Sequence, residues 1–294
     1  MQTIFSRIAS RKRGKLAITI HFTALEERRK LVEGTKMNHC PRAKEARWKS
    51  LTLRFFCRPN ICIMLLLESG ERKLRLNSLV ERDGFAIVPA CLDEGAVDGL
   101  CEQFADNRHP ERNLLSVSTV QELAKSRPVR GITEAVLGPR CFAVRGIFFN
   151  KTRSSNWKVV WHQDLTIAVR ERRDVDGFGP WTVKAGVLHV QPPAEIMGSI
   201  LAIRLHLDES GIDNGPLRVI AGSHREGRLS AEQIGKREKE NSVICAVPRG
   251  GALIMRPLLL HSSSACVVPR SRRVIHLEFA ASELPHGLEW HDRV

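Results

Sequence analysis

A chain of 294 residues with 43% hydrophobic side chains can bury one large β-sandwich or two small domains, and the apolar run at 61–67 is far shorter than the ~20 residues that span a bilayer. The formal charge of +14 would suggest a nucleic-acid partner if it covered one folded face. Residues 1–75 hold 18 Lys/Arg against 6 Asp/Glu, however, and residues 76–294 hold 28 against 26, so the bulk of the chain is nearly neutral and is not expected to take nucleic acid as a partner. Eight cysteines without a C-x-x-C pair or regular spacing read as reduced thiols of a cytoplasmic protein rather than as a disulfide framework.

Residues 1–75 form a basic extension in which Arg11-Lys12-Arg13, Arg28-Arg29-Lys30 and the surroundings of Cys40-Pro41-Arg42 show no sustained helical or strand period. Three readings stand open: a disordered tail, a transit-like segment, since the first 25 residues are Arg-rich and acid-free, or a start further down at Met37 or Met64. The last is preferred, because Met64 sits just ahead of the patterned region. Patterning begins with a strand over 84–89. A helix over 93–104 follows, with Ala96, Val97, Leu100 and Phe104 on one stripe. Short helices are expected over 121–125 and 132–137, a strand over 141–150 and a polar loop over 151–156. Residues 170–193, rich in Gly, Pro and charge, read as a long insertion; loops of that length are uncommon unless they serve a function, so this one is expected to be a lid that shapes a pocket. The run 200–207 alternates, with Ile203, Leu205 and Leu207 on one face and Arg204, His206 and Asp208 on the other. Ser230 is expected to cap a surface helix running through Ile234 and Lys239.

The most informative feature is His162-Gln163-Asp164 at the end of Val159-Val160-Trp161. On a strand, residues i and i+2 share a face, so His162 and Asp164 can close on one metal ion. His261, at the end of the buried strand-like run 252–260 that Pro257 interrupts, is the candidate third ligand. Two histidines and one carboxylate on one face of an octahedron leave three positions open, which suits non-haem Fe(II) activating oxygen. A second H-x-D, His206-Leu207-Asp208, reads as structural. His224 reads as a loop histidine, and Cys266 as a small packing residue. His189 divides evenly between a core role and a substrate contact.

Several segments in order carry a resemblance. After His162-x-Asp164 come Asn214-Gly215-Pro216-Leu217-Arg218-Val219-Ile220-Ala221-Gly222-Ser223-His224, then Gly250-Gly251-Ala252-Leu253-Ile254-Met255 leading to His261, with Arg272 eleven positions beyond. Over roughly residues 76–294 the chain resembles the phytanoyl-CoA dioxygenase family of Fe(II)/2-oxoglutarate oxygenases. Ala252 departs from it, standing where the family commonly has an acidic residue. The resemblance implies a mainly β fold with flanking α, a double-stranded β-helix (jelly roll, cupin-like) with helices packed on one sheet. It also implies Fe(II) as metal, 2-oxoglutarate as co-substrate and O2 as oxidant.

Strand alternation in 272–279 does not choose between Arg272 and Arg273. The family's His-to-Arg spacing points to Arg272 as the residue that pairs bidentately with the far carboxylate of 2-oxoglutarate. Ser263 matches a family hydroxyl that donates to the same carboxylate, and Trp181 lies one residue off a tryptophan the family places near the co-substrate. The implied reaction is hydroxylation of a small molecule with formation of succinate and CO2, and the presence of Asp164 argues against halogenation. Two other readings stay open: a cupin-like protein with another metal such as zinc, and a non-catalytic module whose basic extension docks nucleic acid. Arg272 with Ser263 speaks against the former, because a structural or hydrolytic zinc site needs no carboxylate clamp.

Overall fold

The structure, a computed structural model, describes residues 8–12, 15–19, 69–106, 111–152, 155–267 and 271–294. The chain divides into two units, Met1–Arg54 and Phe55–Val294. In the first, β1 (Ile8–Lys12) pairs antiparallel with β2 (Lys15–Thr19), Ile8 opposite Thr19 and Lys12 opposite Lys15. The two strands lie in the basic stretch where the sequence shows no strand period; main-chain pairing of two strands needs no apolar face. The remaining expectations for residues 1–68 lie outside the described residues.

The second unit opens with α1 (Ser69–Asp83), β3 (Phe85–Val88) and α2 (Glu94–Gln103). Asp93 caps α2, its side chain accepting from the Ala96 amide at 2.8 Å. Of the expected stripe, Val97, Leu100 and Phe104 are buried, whereas Ala96 is exposed in the first turn. There follow β4 (Glu111–Arg112), α3 (Ser118–Lys125), α4 (Arg127–Leu137), β5 (Phe142–Lys151), β6 (Val159–His162) and β7 (Ile167–Val169). Next come β8 (Trp181–Lys184), β9 (Val187–Val190), α5 (Ala194–Gly198), β10 (Ile200–His206), β11 (Leu217–Val219) and α6 (Ala231–Arg237). The chain closes with β12 (Val243–Cys245), β13 (Ala252–Met255), β14 (His261–Ser263) and β15 (Arg272–Ala280). Ser230 caps α6 in a reciprocal box with Gln233, and the helix ends at Arg237, short of Lys239.

A six-stranded antiparallel sheet in the order β3-β13-β10-β15-β5-β4 faces a four-stranded one, β12-β11-β14-β6. This is the jelly-roll arrangement expected from the sequence, with its helices on one face of the larger sheet. Strand alternation sorts the two faces. Leu201, Ile203, Leu205, Ile275, Leu277 and Phe279 turn outward into a core shared with Leu76 and Val80 of α1 and Val129 and Ile132 of α4. Ala202, Leu253 and Met255 turn inward to meet Leu217 and Val219 of the smaller sheet. Each such fully buried side chain contributes about 1.5–3 kcal/mol. The polar side chains Arg204, His206, Arg272, His276 and Glu278 alternate with the outward apolar ones and are also buried, so they lie on the inner face of the sandwich.

The 170–193 insertion is not an unstructured loop. Its β8 and β9 form a hairpin that joins β7 in a third, three-stranded sheet, Thr182 opposite His189 and His189 opposite Ala168. Gly186 in the turn has φ +79°, a left-handed conformation that favours glycine. Among the described residues no helix is long and apolar enough to cross a membrane.

Candidate active site

β6 and β14 are neighbours, and their register sets His162 directly opposite His261. The imidazole centroids are 4.1 Å apart. Asp164 lies just past the end of β6, its amide donating to the Pro257 carbonyl at 3.0 Å. Its carboxylate reaches both rings, Oδ1 at 3.8 Å from His162 Nε2 and Oδ2 at 3.7 Å from His261 Nε2. One ligand atom from each residue falls within 4.8 Å of the others, a grouping that could hold a metal ion.

The imidazoles are oriented for that task. His162 Nδ1 is 2.8 Å from the Val160 carbonyl and His261 Nδ1 is 2.8 Å from the Leu259 carbonyl. A carbonyl can only accept, so each Nδ1 carries the proton and each Nε2 keeps its lone pair for a cation. Burial pushes His261 down to about 4, leaving it neutral at physiological pH. Asp164 is pushed up by burial and, more strongly in sum, down by His261, His276, His162 and Arg145, so that it lies at about 2 and is ionised.

Gln163, between the two ligand candidates, points the other way and is buried. Its amide nitrogen donates to the carbonyls of Gly227 (2.8 Å) and Leu258 (2.7 Å), and its oxygen accepts from the Leu229 amide (2.8 Å). Three bonds to two loops fix the backbone from which His162 and Asp164 project. Alternation alone gives its direction, but not these partners.

A second cluster lies on the inner faces of β5, β10 and β15. Arg272 is buried, and one of its terminal nitrogens donates to the Gly215 carbonyl while Nε has no partner. Gly215 has φ +59°, and a Cβ there would stand 2.6 Å from the Ser264 carbonyl, so only glycine permits this approach. Lys151 Nζ donates to Ser263 Oγ at 3.0 Å and to the Ser264 carbonyl at 2.9 Å. Arg204 donates to His276 Nδ1 at 3.2 Å, lies 5.0 Å over the Phe149 ring, and leaves its Nε unpartnered. His206 beside them is buried with both ring nitrogens unpartnered. No carboxylate pairs with Arg272, Lys151 or Arg204 among the described residues. Burial, followed by repulsion from Arg272, lowers Lys151 to about 8 and Arg204 to about 10. Burying three cations without a counter-charge is costly, and a dianion entering among them would relieve that cost. The orphaned donors therefore fit 2-oxoglutarate.

Arg273 differs. Its Nε and one terminal nitrogen hold Asp208 at 2.9 and 2.8 Å, and its amide donates to the same carboxylate at 2.8 Å. The second H-x-D is thus divided between an arginine clamp and the buried cluster. Trp181 packs with the apolar group around Val190 and Met197, its ring 5.6 Å from the Arg172 guanidinium, and shares no hydrogen bond or ring contact with Arg272, Ser263 or Lys151. His189 is buried in β9, Nδ1 3.0 Å from the Val187 carbonyl and Nε2 unpartnered, and burial pushes it down to about 4. His224 bonds the Glu81 carbonyl at 3.2 Å. Cys266 is buried and free, as are Cys141 and Cys245; Cys91 and Cys101 are half-buried and free.

Beside Asp164 opens a cavity of about 450 Å³ whose wall includes His162, Gln163, Phe149, Arg112, Arg145, Lys184 and Glu278. The 170–193 insertion enters the site through Lys184 at the end of β8 and Gln191 just past β9.

A model of the phytanoyl-CoA dioxygenase family matches residues 80–274, about two thirds of the chain, and the chain belongs to that family, whose members use Fe(II), 2-oxoglutarate and O2. It is therefore of the Fe(II)/2-oxoglutarate oxygenase class. Among solved structures it is similar to the α-ketoglutarate-dependent epimerase SnoN from nogalamycin biosynthesis, at 15% identity and TM-score 0.55 over 73% of this chain and 82% of that one. The carbocyclase SnoK of the same biosynthesis is similar at 12% identity and TM-score 0.56, over 75% and 86%. EctD from S. alaskensis with 2-oxoglutarate and 5-hydroxyectoine is similar at 19% identity and TM-score 0.54, over 70% and 75%. At these identities the likeness is one of fold. No curated protein sequence matches the chain.

Proposed function

We propose that this oxygenase hydroxylates a small molecule, with His162, Asp164 and His261 as iron ligands and Arg272 and Ser263 as the clamp on 2-oxoglutarate. The observation that carries the reading is the juxtaposition of a two-histidine, one-carboxylate grouping on the smaller sheet with a buried, unneutralised cation cluster on the larger one, the two linked by the Lys151–Ser263 hydrogen bond. Iron with 2-oxoglutarate and oxygen, when bound, supplies the oxidising power and releases succinate and CO2. The chain's own residues do the rest. The carbonyls of Val160 and Leu259 hold the imidazoles in the tautomer that presents Nε2. Gln163 fixes the backbone between the ligands, and the cavity beside Asp164 admits substrate. As an iron ligand, Asp164 would fill a coordination position that a halide would otherwise need, which favours hydroxylation over halogenation.

Product mass tests the reaction type. A metabolite screen for compounds that raise succinate formation above the substrate-free rate, followed by mass spectrometry, should find a product heavier by one oxygen atom. SnoN is an epimerase and SnoK a carbocyclase, so a product of unchanged mass, or one lighter by two hydrogens, would replace hydroxylation by one of those outcomes.

Lys151 adds a pH dependence. With the lysine pushed down to about 8 in the free protein, the anion meets a protonated amine at neutral pH and a neutral one above. Affinity for 2-oxoglutarate should therefore be full below pH 8 and fall as pH rises through that value, by up to about tenfold per unit. The slope, measured by titrating the visible charge-transfer band of the anaerobic Fe(II) protein, should vanish in Lys151→Met. An unchanged slope in that variant would remove Lys151 from the co-substrate site.

A further inference from the structure

The cavity beside Asp164 has a charge pattern of its own. Arg112 on β4, Arg145 on β5 and Lys184 on β8 all line it, against two carboxylates, Asp164 and Glu278. Asp164 is a proposed iron ligand. Glu278 is already shared, 3.2 Å from Arg145 and 3.2 Å from His276. Arg112 and Lys184 are left without a carboxylate. Among the described residues Arg112 makes no side-chain hydrogen bond or ion pair, and Lys184 donates to the neutral Thr166 hydroxyl at 2.9 Å. Both are made less basic, first by burial and then by the charge of Arg145, which together outweigh the opposing pull of Glu278 and Asp164. Like charges converging on one cavity from strands of two separate sheets raise its free energy until an anion joins them.

We propose that the substrate carries an anionic group, a carboxylate or a phosphate, and that Arg112 and Lys184 hold it on the cavity wall. The proposal rests on the oxygenase reading of the same site. A volume of about 450 Å³ suits a molecule of metabolite size. Anchored by its anion, such a molecule extends from the cationic wall toward His162 and Asp164, where its C–H bond is presented. Arg145 is a lesser contributor, because Glu278 already neutralises it.

The test uses inorganic phosphate and, in a separate arm, acetate as probes, on anaerobic protein holding Fe(II) and 2-oxoglutarate. Either probe that binds should raise the melting temperature of the wild type in a saturable manner. In Arg112→Ala/Lys184→Ala its apparent Kd should be weakened at least about tenfold, while Lys236→Ala, which removes an exposed cation from α6, keeps the wild-type response. Phosphate also stabilises proteins by exclusion from their surface, so the readout is the difference between wild type and double variant. A response to phosphate alone assigns a phosphate-bearing substrate, and a response to acetate alone a carboxylate. If wild type and double variant respond identically to both, or respond to neither, the proposal is overturned. The visible Fe(II)/2-oxoglutarate band is read in the same samples. Its absence would sink the oxygenase reading, whereas the anion arm, repeated on protein without metal or co-substrate, still decides whether Arg112 and Lys184 bind an anion.

Discussion

Asp164→Ala is expected to abolish tight Fe(II) binding, as are His162→Ala and His261→Ala, while His206→Ala/Asp208→Ala should retain about one iron per chain in an anaerobic titration. The asymmetry follows from what each H-x-D does in the fold. At the first, both Nε2 atoms are free, their tautomers fixed by the carbonyls of Val160 and Leu259, and the carboxylate lies 3.7–3.8 Å from each ring. At the second, Asp208 is spent on Arg273, held through Nε, a terminal nitrogen and the main-chain amide. His206 is buried with both nitrogens unpartnered, and burial pushes it well below the ordinary histidine range, but among the described residues it belongs to no grouping of metal-ligating side chains. Losing the Asp208–Arg273 pair should cost stability rather than metal. Removal of iron by the double substitution alone would overturn the assignment.

How much of this could be read from the chain depends on the range of the interaction concerned. The alternation of 200–207 and 272–279 separates outward Ile203, Leu205, Ile275 and Leu277 from inward Arg204 and His276 correctly, because strand periodicity is local. The H-x-D can be picked out because residues i and i+2 of a strand share a face, and the structure brings the distant His261 to the same place. The polar composition of 151–156 places Lys151 in a loop, yet it ends β5 and bonds Ser263, which lies 112 residues further on. Its role arises only when β5 and β14 are brought together. The β8–β9 hairpin looked like loop because Gly, Pro and charged residues dominate its flanks, while the strands are only four residues each. Arg112 carries no local signal at all; a lone arginine between Glu111 and Asn113 acquires meaning only from the cavity it lines. Family spacing selected Arg272 over Arg273 where alternation could not, and the two guanidiniums turn out to have different partners.

Those partners make the two arginines separable by experiment. Arg272→Ala should raise the Kd for 2-oxoglutarate by roughly 30-fold or more, the equivalent of the ~2–5 kcal/mol lost when one partner of a buried charge-assisted pair is removed. It should cost the co-substrate-free protein little stability, because the residue removed is a buried cation with an unpartnered Nε and no carboxylate. Arg273→Ala should show the reverse. It breaks a half-buried bidentate pair with Asp208, which also ties β15 to the loop after β10, so the melting temperature should fall by an amount equivalent to about 1–2 kcal/mol while 2-oxoglutarate affinity changes less than about threefold. Arg272→Lys should recover only part of the lost affinity, since an ammonium cannot supply the planar two-point contact. Affinity comes from the charge-transfer titration of the anaerobic Fe(II) protein and stability from thermal melts without co-substrate. Equal loss of affinity in the two alanine variants would mean that the clamp is not Arg272 and that the buried cluster around Lys151 and Arg204 holds something other than the co-substrate.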